Sequence, residues 1–138
     1  MNVATNIVLT LIFACISIVH LYWAFGGNWG KKETIPTTKT GTPLFNPGFL
    51  DCFVVAMGFI CFIFLINFGH LDFIPHKVNR VIVIVIALIF LIRAIGDFKY
   101  VGFFKKIKES MFARMDSKYY SPLCFVIFML LMLKLGNM

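Results

Sequence analysis

The chain has 138 residues, 60% of them hydrophobic and only 14% charged, with 17 phenylalanines and a mean hydropathy of +0.90. A soluble domain of this size is roughly half apolar and about a quarter charged, so the composition describes one integral membrane domain, residues 1–138, without a soluble module. The net charge of +7 does not argue for nucleic acid as a partner, because the basic residues flank apolar spans instead of forming a stripe.

The first apolar run, about Thr5 to Phe25, contains no Lys or Arg and is followed by no A-x-A cleavage pattern. It therefore reads as a retained membrane helix and not a signal peptide. Thr10, Ala14, Ser17, His20 and Ala24 fall on one face of it, a small and polar stripe suited to packing against other helices. Gly26-Gly27 ends the helix. The connection Gly26 to Asn46 is long, basic and rich in Thr and Gly, which suits a binding loop or an exposed linker.

The second span runs from about Pro47 to Gly69, with Asn46 as N-cap and Pro47 at the first helical position. Asp51, Val55, Gly58, Cys61 and Leu65 share one of its faces. The connection His70 to Asn79 is short and carries Pro75, which makes helices two and three antiparallel neighbours. Helix three is about Val81 to Phe98, with Arg93, Gly96, Asp97 and Tyr100 on one face. In Lys99 to Tyr119, apolar Phe103, Phe104, Ile107, Met111 and Phe112 alternate with Lys105, Lys106, Lys108 and Arg114. This pattern predicts an amphipathic helix in the membrane surface. Helix four is about Pro122 to Gly136, capped by Ser121.

The expected fold is all-α: an up-down integral membrane four-helix bundle with an amphipathic interfacial helix between helices three and four. Lys and Arg concentrate in loops one and three, leaving Lys77, Arg80 and Lys134 on the other side. The positive-inside rule then makes those two loops cytoplasmic and puts both termini outside, in a multi-pass cell-membrane protein.

A charge at mid-helix in hydrocarbon costs about 3 kcal/mol or more, so it is normally paired and turned inward. Arg93 follows twelve uncharged residues, Val81 to Ile92. It precedes Asp97 by four, a spacing that allows an ion pair along the helix. In an up-down bundle His20, Asp51, Arg93, Asp97 and Tyr120 lie at one depth near the cytoplasmic surface, while the opposite half is nearly free of polar groups. Plainer roles exist for each. Arg93 can snorkel to headgroups, and Asp97 can serve only as its partner. His20 can bond a backbone carbonyl, and Asp51 can answer a helix dipole. Tyr22, Trp23, Trp29 and Tyr100 can form an interfacial belt. No metal-ligand spacing is present, and His20 stands roughly 25 Å from His70 and His76, too far for a haem pair. No cofactor is expected. Cys15, Cys52, Cys61 and Cys124 form no C-x-x-C pair and read as packing residues.

The motifs His20-x-x-Trp23-x-x-Gly26-Gly27-x-Trp29-Gly30, Arg93-x-x-Gly96-Asp97, Phe112-Ala113-x-x-Asp116 and Tyr120-Ser121-Pro122-Leu123-Cys124 span nearly the whole chain. Together they resemble a family of small bacterial four-helix membrane proteins, domain of unknown function family 3995. The resemblance implies the four-helix fold and supplies no activity.

Three functions compete. The first is a pocket near the cytoplasmic face for a small amphiphilic or lipid-like molecule, in contact with membrane lipids and with or without catalysis. Arg93, Trp23, Trp29, Tyr100, Asp116 and Tyr120 would bind, and His20 with Asp51 or Asp97 would serve as acid and base. The second is a proton or small-cation transporter. The third is a structural or regulatory membrane subunit. No internal repeat supports an inverted-repeat transporter.

Overall fold

The computed structural model describes residues 3–69 and 74–138. His70 and the start of the second connection lie outside that range. Helix α1 is Val3–Ala24, α2 is Phe49–Phe68 and α3 is His76–Ile95. A helical run then begins with α4, Met111–Met115, passes through a π turn, Asp116–Tyr120, and continues as α5, Ser121–Gly136. A short 3-10 turn, Lys32–Thr34, interrupts the first connection. No strand forms among the described residues.

Four of these stretches are long and apolar enough to cross a bilayer: α1, α2, α3 and the continuous run Met111–Gly136, with mean hydropathy between 1.7 and 2.7. Large apolar side chains such as Leu11, Ile18, Leu50, Val54, Val81 and Ile92 are left open on their outer faces. Helices that are apolar all round belong in lipid, so the chain is a multi-pass membrane protein.

The helices pair in opposite directions. Ser17 donates to the Ala56 carbonyl at 2.9 Å and Asn67 donates to Thr10 at 2.8 Å, which fixes α1 against α2. Arg93 meets Asp116 at one end of the α3–α5 pair, and His76 meets the Met138 carbonyl at the other. The core between the pairs is built from Leu9, Phe13, Ile66, Val83, Phe90, Ile127 and Leu131. Phe13 stacks on Phe90 at 5.6 Å, and Phe59 and Phe62 close around them.

Several boundaries differ from expectation. The α2 N-cap is Gly48, not Asn46, because the Asp51 carboxylate reaches back to accept the Gly48 N–H at 2.8 Å. Helix α3 starts at His76, with Pro75 as its cap, and stops at Ile95, because Gly96 adopts φ +85°. The amphipathic helix expected over Lys99 to Tyr119 does not form as such. Residues 97–110 make bends and turns, and helix resumes only at Met111, running straight into the last span.

Candidate functional site

Arg93 occupies the last turn of α3, where a cation suits the C-terminal helix dipole. One residue past the helix end, Gly96 turns the chain with φ +85°, and Gly102 follows with φ +89°. At both positions a Cβ would strike the other's backbone, so only glycine permits the crossing. The crossing presents the Gly102 N–H to the interior and brings Lys105 back under α3.

Asp116 receives this arrangement. It opens the π turn and is fully buried. Its Oδ1 accepts from Arg93 Nη2 at 3.1 Å and from Ser121 Oγ at 3.0 Å. Its Oδ2 accepts from the Gly102 N–H at 2.8 Å and from Lys105 Nζ at 3.0 Å. Lys105, itself buried, also donates to the Gly102 carbonyl at 2.9 Å and to Ser117 Oγ at 2.7 Å, so its three ammonium protons are all engaged. Two cations thus share one carboxylate, which leaves the centre with a formal charge of +1. Arg93 differs from Lys105 in one respect. Its side chain is about 35% exposed, yet its Nη1 is buried and, among the described residues, without a hydrogen-bond partner.

The ion pair expected between Arg93 and Asp97 is replaced by Arg93–Asp116. Gly96 breaks the helix, so Asp97 no longer shares the Arg93 face. Its Oδ1 instead accepts the backbone N–H groups of Lys99, Tyr100 and Val101 at 2.7–3.0 Å. Burial pushes the Asp97 carboxyl up, and the N–H groups of Val101, Lys99 and Tyr100 together outweigh it, holding it below the usual carboxylate range.

The other expected site residues disperse. His20 Nδ1 lies 2.9 Å from the Ile16 carbonyl of its own helix, and its ring packs on Trp23 and Phe59. Trp23 donates its indole N–H to the Trp29 carbonyl at 2.8 Å, while the Trp29 ring is exposed. Asp51 caps α2. Tyr100 lies under the Lys99 ammonium, and Tyr120 packs beside Phe112. The structure brings Arg93 and Asp116 together and does not join His20, Asp51 and Asp97 to them. Lys105, Gly102 and Ser121 are the members that sequence reasoning missed.

A second polar cluster lies at the opposite end, which was expected to be nearly free of polar groups. Lys134, buried in α5, donates to Asn6 Oδ1 at 2.8 Å and to the Ile66 carbonyl at 2.9 Å. Among the described residues no carboxylate meets it. Asn67 and Thr10 bond beside it, and Asn79 is also buried. No three His, Cys, Asp or Glu side chains among the described residues converge as a metal site.

No curated protein and no solved structure shows a significant match to the chain. One family model, described as a protein of unknown function, DUF3995, matches residues 13–131, which takes in the second and third spans whole, most of the first and last, and every member of the Asp116 centre. The chain belongs to the DUF3995 family.

Proposed function

We propose that this protein binds a small amphiphilic molecule in the membrane, with the ligand's polar end held by Arg93. The observation that carries this is the unpartnered, buried Nη1 of Arg93 beside a fully bonded Asp116. A buried guanidinium N–H without an acceptor is costly, and a ligand oxygen would remove that cost. The formal +1 charge of the centre favours an anionic or carbonyl oxygen over a cationic group. Exposed apolar faces of α3 and α5 would receive the ligand's tail.

The proposal concerns binding rather than catalysis, because His20, Asp51 and Asp97 each spend polar atoms on nearby backbone. Its frame is an up-down bundle. The basic loops that close over the Arg93 end would face the cytoplasm by charge count, with the centre just beneath that surface.

Mass spectrometry of organic extracts from purified protein tests the proposal. Arg93→Gln leaves Asp116 paired with Lys105, so the variant should fold and lose a molecule that the wild type and His20→Ala retain. Identical extracts from wild type and Arg93→Gln would sink the idea.

A further inference from the structure

We propose that the cleft between the two basic loops is a separate site for a phosphate-bearing headgroup. Residues 37–41 form one wall and residues 106–111 the other, around a cavity of about 810 Å³. That is within the roughly 300–1,000 Å³ of ordinary ligand sites.

The first wall is a tight turn, with Thr37 bridged to Pro43 and the Thr38, Thr40 and Thr42 hydroxyls bonded to one another. The second wall is the turn segment that leads into α4. Lys39, Lys106 and Lys108 line the cleft against a single acid, Glu109, a formal excess of two positive charges. Unlike Lys105, none of these three lysines has a carboxylate partner among the described residues, so their ammonium groups are available to an outside anion. Lysine binds phosphate as a mobile point charge and needs no fixed fork.

The apolar side chains at the cleft indicate where the phosphate comes from. Met111 lines it and is 62% exposed, and Phe104, two residues before Lys106 in the chain, is 64% exposed. Open apolar side chains beside unpaired lysines suit the boundary between acyl chains and headgroups. Basic groups there attract anionic lipids. The shared chemistry is a phosphate monoanion or diester, from a lipid headgroup or from free phosphate. The site contains neither Arg93 nor Asp116 and stands independently of the amphiphile proposal.

Titration calorimetry of the full chain in neutral detergent, with dihexanoyl phosphatidylglycerol, dihexanoyl phosphatidylcholine and inorganic phosphate, provides the test. The glycerol lipid should bind at least about tenfold more tightly than the choline lipid, because several lysines act on one anion. Near 1 M salt, where the screening length falls to about 3 Å, the preference should shrink. Lys39→Ala/Lys106→Ala/Lys108→Ala should abolish it, Glu109→Gln should strengthen it, and Arg93→Gln should leave it intact. If the triple variant does not fold, Glu109→Gln alone decides. Inorganic phosphate matching the glycerol lipid, with the same dependence on the lysines, upholds the site and assigns it a soluble ligand. Equal affinity for the two lipids, or a preference that neither the lysines nor Glu109 alters, overturns the proposal.

Discussion

At the scale of single residues, Asp116 is where three segments of chain meet. It accepts from α3 through Arg93, from the turn segment through Gly102 and Lys105, and from α5 through Ser121. Asp116→Ala would leave the buried Lys105, the partly exposed Arg93, an N–H and a hydroxyl without their acceptor. Loss of one partner of a buried ion pair typically costs about 3–5 kcal/mol, a large share of a domain's total stability of roughly 5–15 kcal/mol. Thermal unfolding in detergent micelles should show a large drop in midpoint for Asp116→Ala. Lys105→Met and Arg93→Gln should fall less, since each leaves Asp116 one cation. An Asp116→Ala midpoint equal to wild type would refute the central role of this carboxylate. The sequence made Arg93 conspicuous by setting it at the end of an uncharged run. It hid Lys105, because Lys105, Lys106 and Lys108 together look like a solvated basic face. Burial singles out the first of the three, and that burial depends on the Gly96–Gly102 crossing, which has no periodic signature. The four-residue spacing of Arg93 and Asp97 misled for the same reason: spacing implies a shared face only while the helix lasts.

At the scale of elements, the π turn sets Asp116 on the face it shares with Ser121. The Ser121 N–H bonds to the Asp116 carbonyl, five residues back, so Asp116–Tyr120 holds one residue more than an α turn needs. Ser121-Pro122 reads as a helix start in the sequence, because proline lacks an N–H and clashes in a helix interior. The widened turn absorbs that proline within a continuous helical run, and the run supplies the span that was expected to begin at Pro122. Lys118 lies in this turn with its side chain exposed. Its deletion in a Pro122→Ala background should restore a regular α-helix. Asp116 and Ser121 would then stand four residues apart, the α-helical counterpart of their present five-residue offset, so the carboxylate keeps its place beside Arg93 and Ser121. Circular dichroism should show helix content preserved, and the unfolding midpoint should stay near that of Pro122→Ala, well above that of Asp116→Ala. Lys118→Ala and Pro122→Ala should each stay close to wild type. A deletion variant as unstable as Asp116→Ala would mean that the widened turn itself, and not the face shared with Ser121, positions the carboxylate.

At the scale of the whole molecule, two polar layers cap an apolar middle. The number of spans was legible because long uncharged runs have one physical use in a chain this hydrophobic. The second layer was not, because Lys134 at the end of an apolar helix looks like a snorkelling residue, and Asn6, Asn67 and Thr10 carry no charge to attract notice. Lys134 instead ties three helices by bonding Asn6 of α1 and the Ile66 carbonyl of α2. A buried cation at one end and an ion-paired centre at the other resemble two stations on a proton path. The interior between them argues otherwise. Phe13, Phe59, Phe62 and Phe90 pack with ring centroids 5.5–6.4 Å apart and offer no polar atom to a proton or a hydrated cation. Proteoliposomes holding the protein should therefore dissipate a proton or sodium gradient no faster than empty vesicles. Lys134→Met should leave that null result unchanged. It should lower the unfolding midpoint by an amount worth about 1–3 kcal/mol, because Asn6 and the Ile66 carbonyl lose their donor in a place water does not reach. Gradient-driven flux in the wild type that Lys134→Met abolishes would reverse this assignment, making the lysine a carrier of charge and the phenylalanine layer a gate.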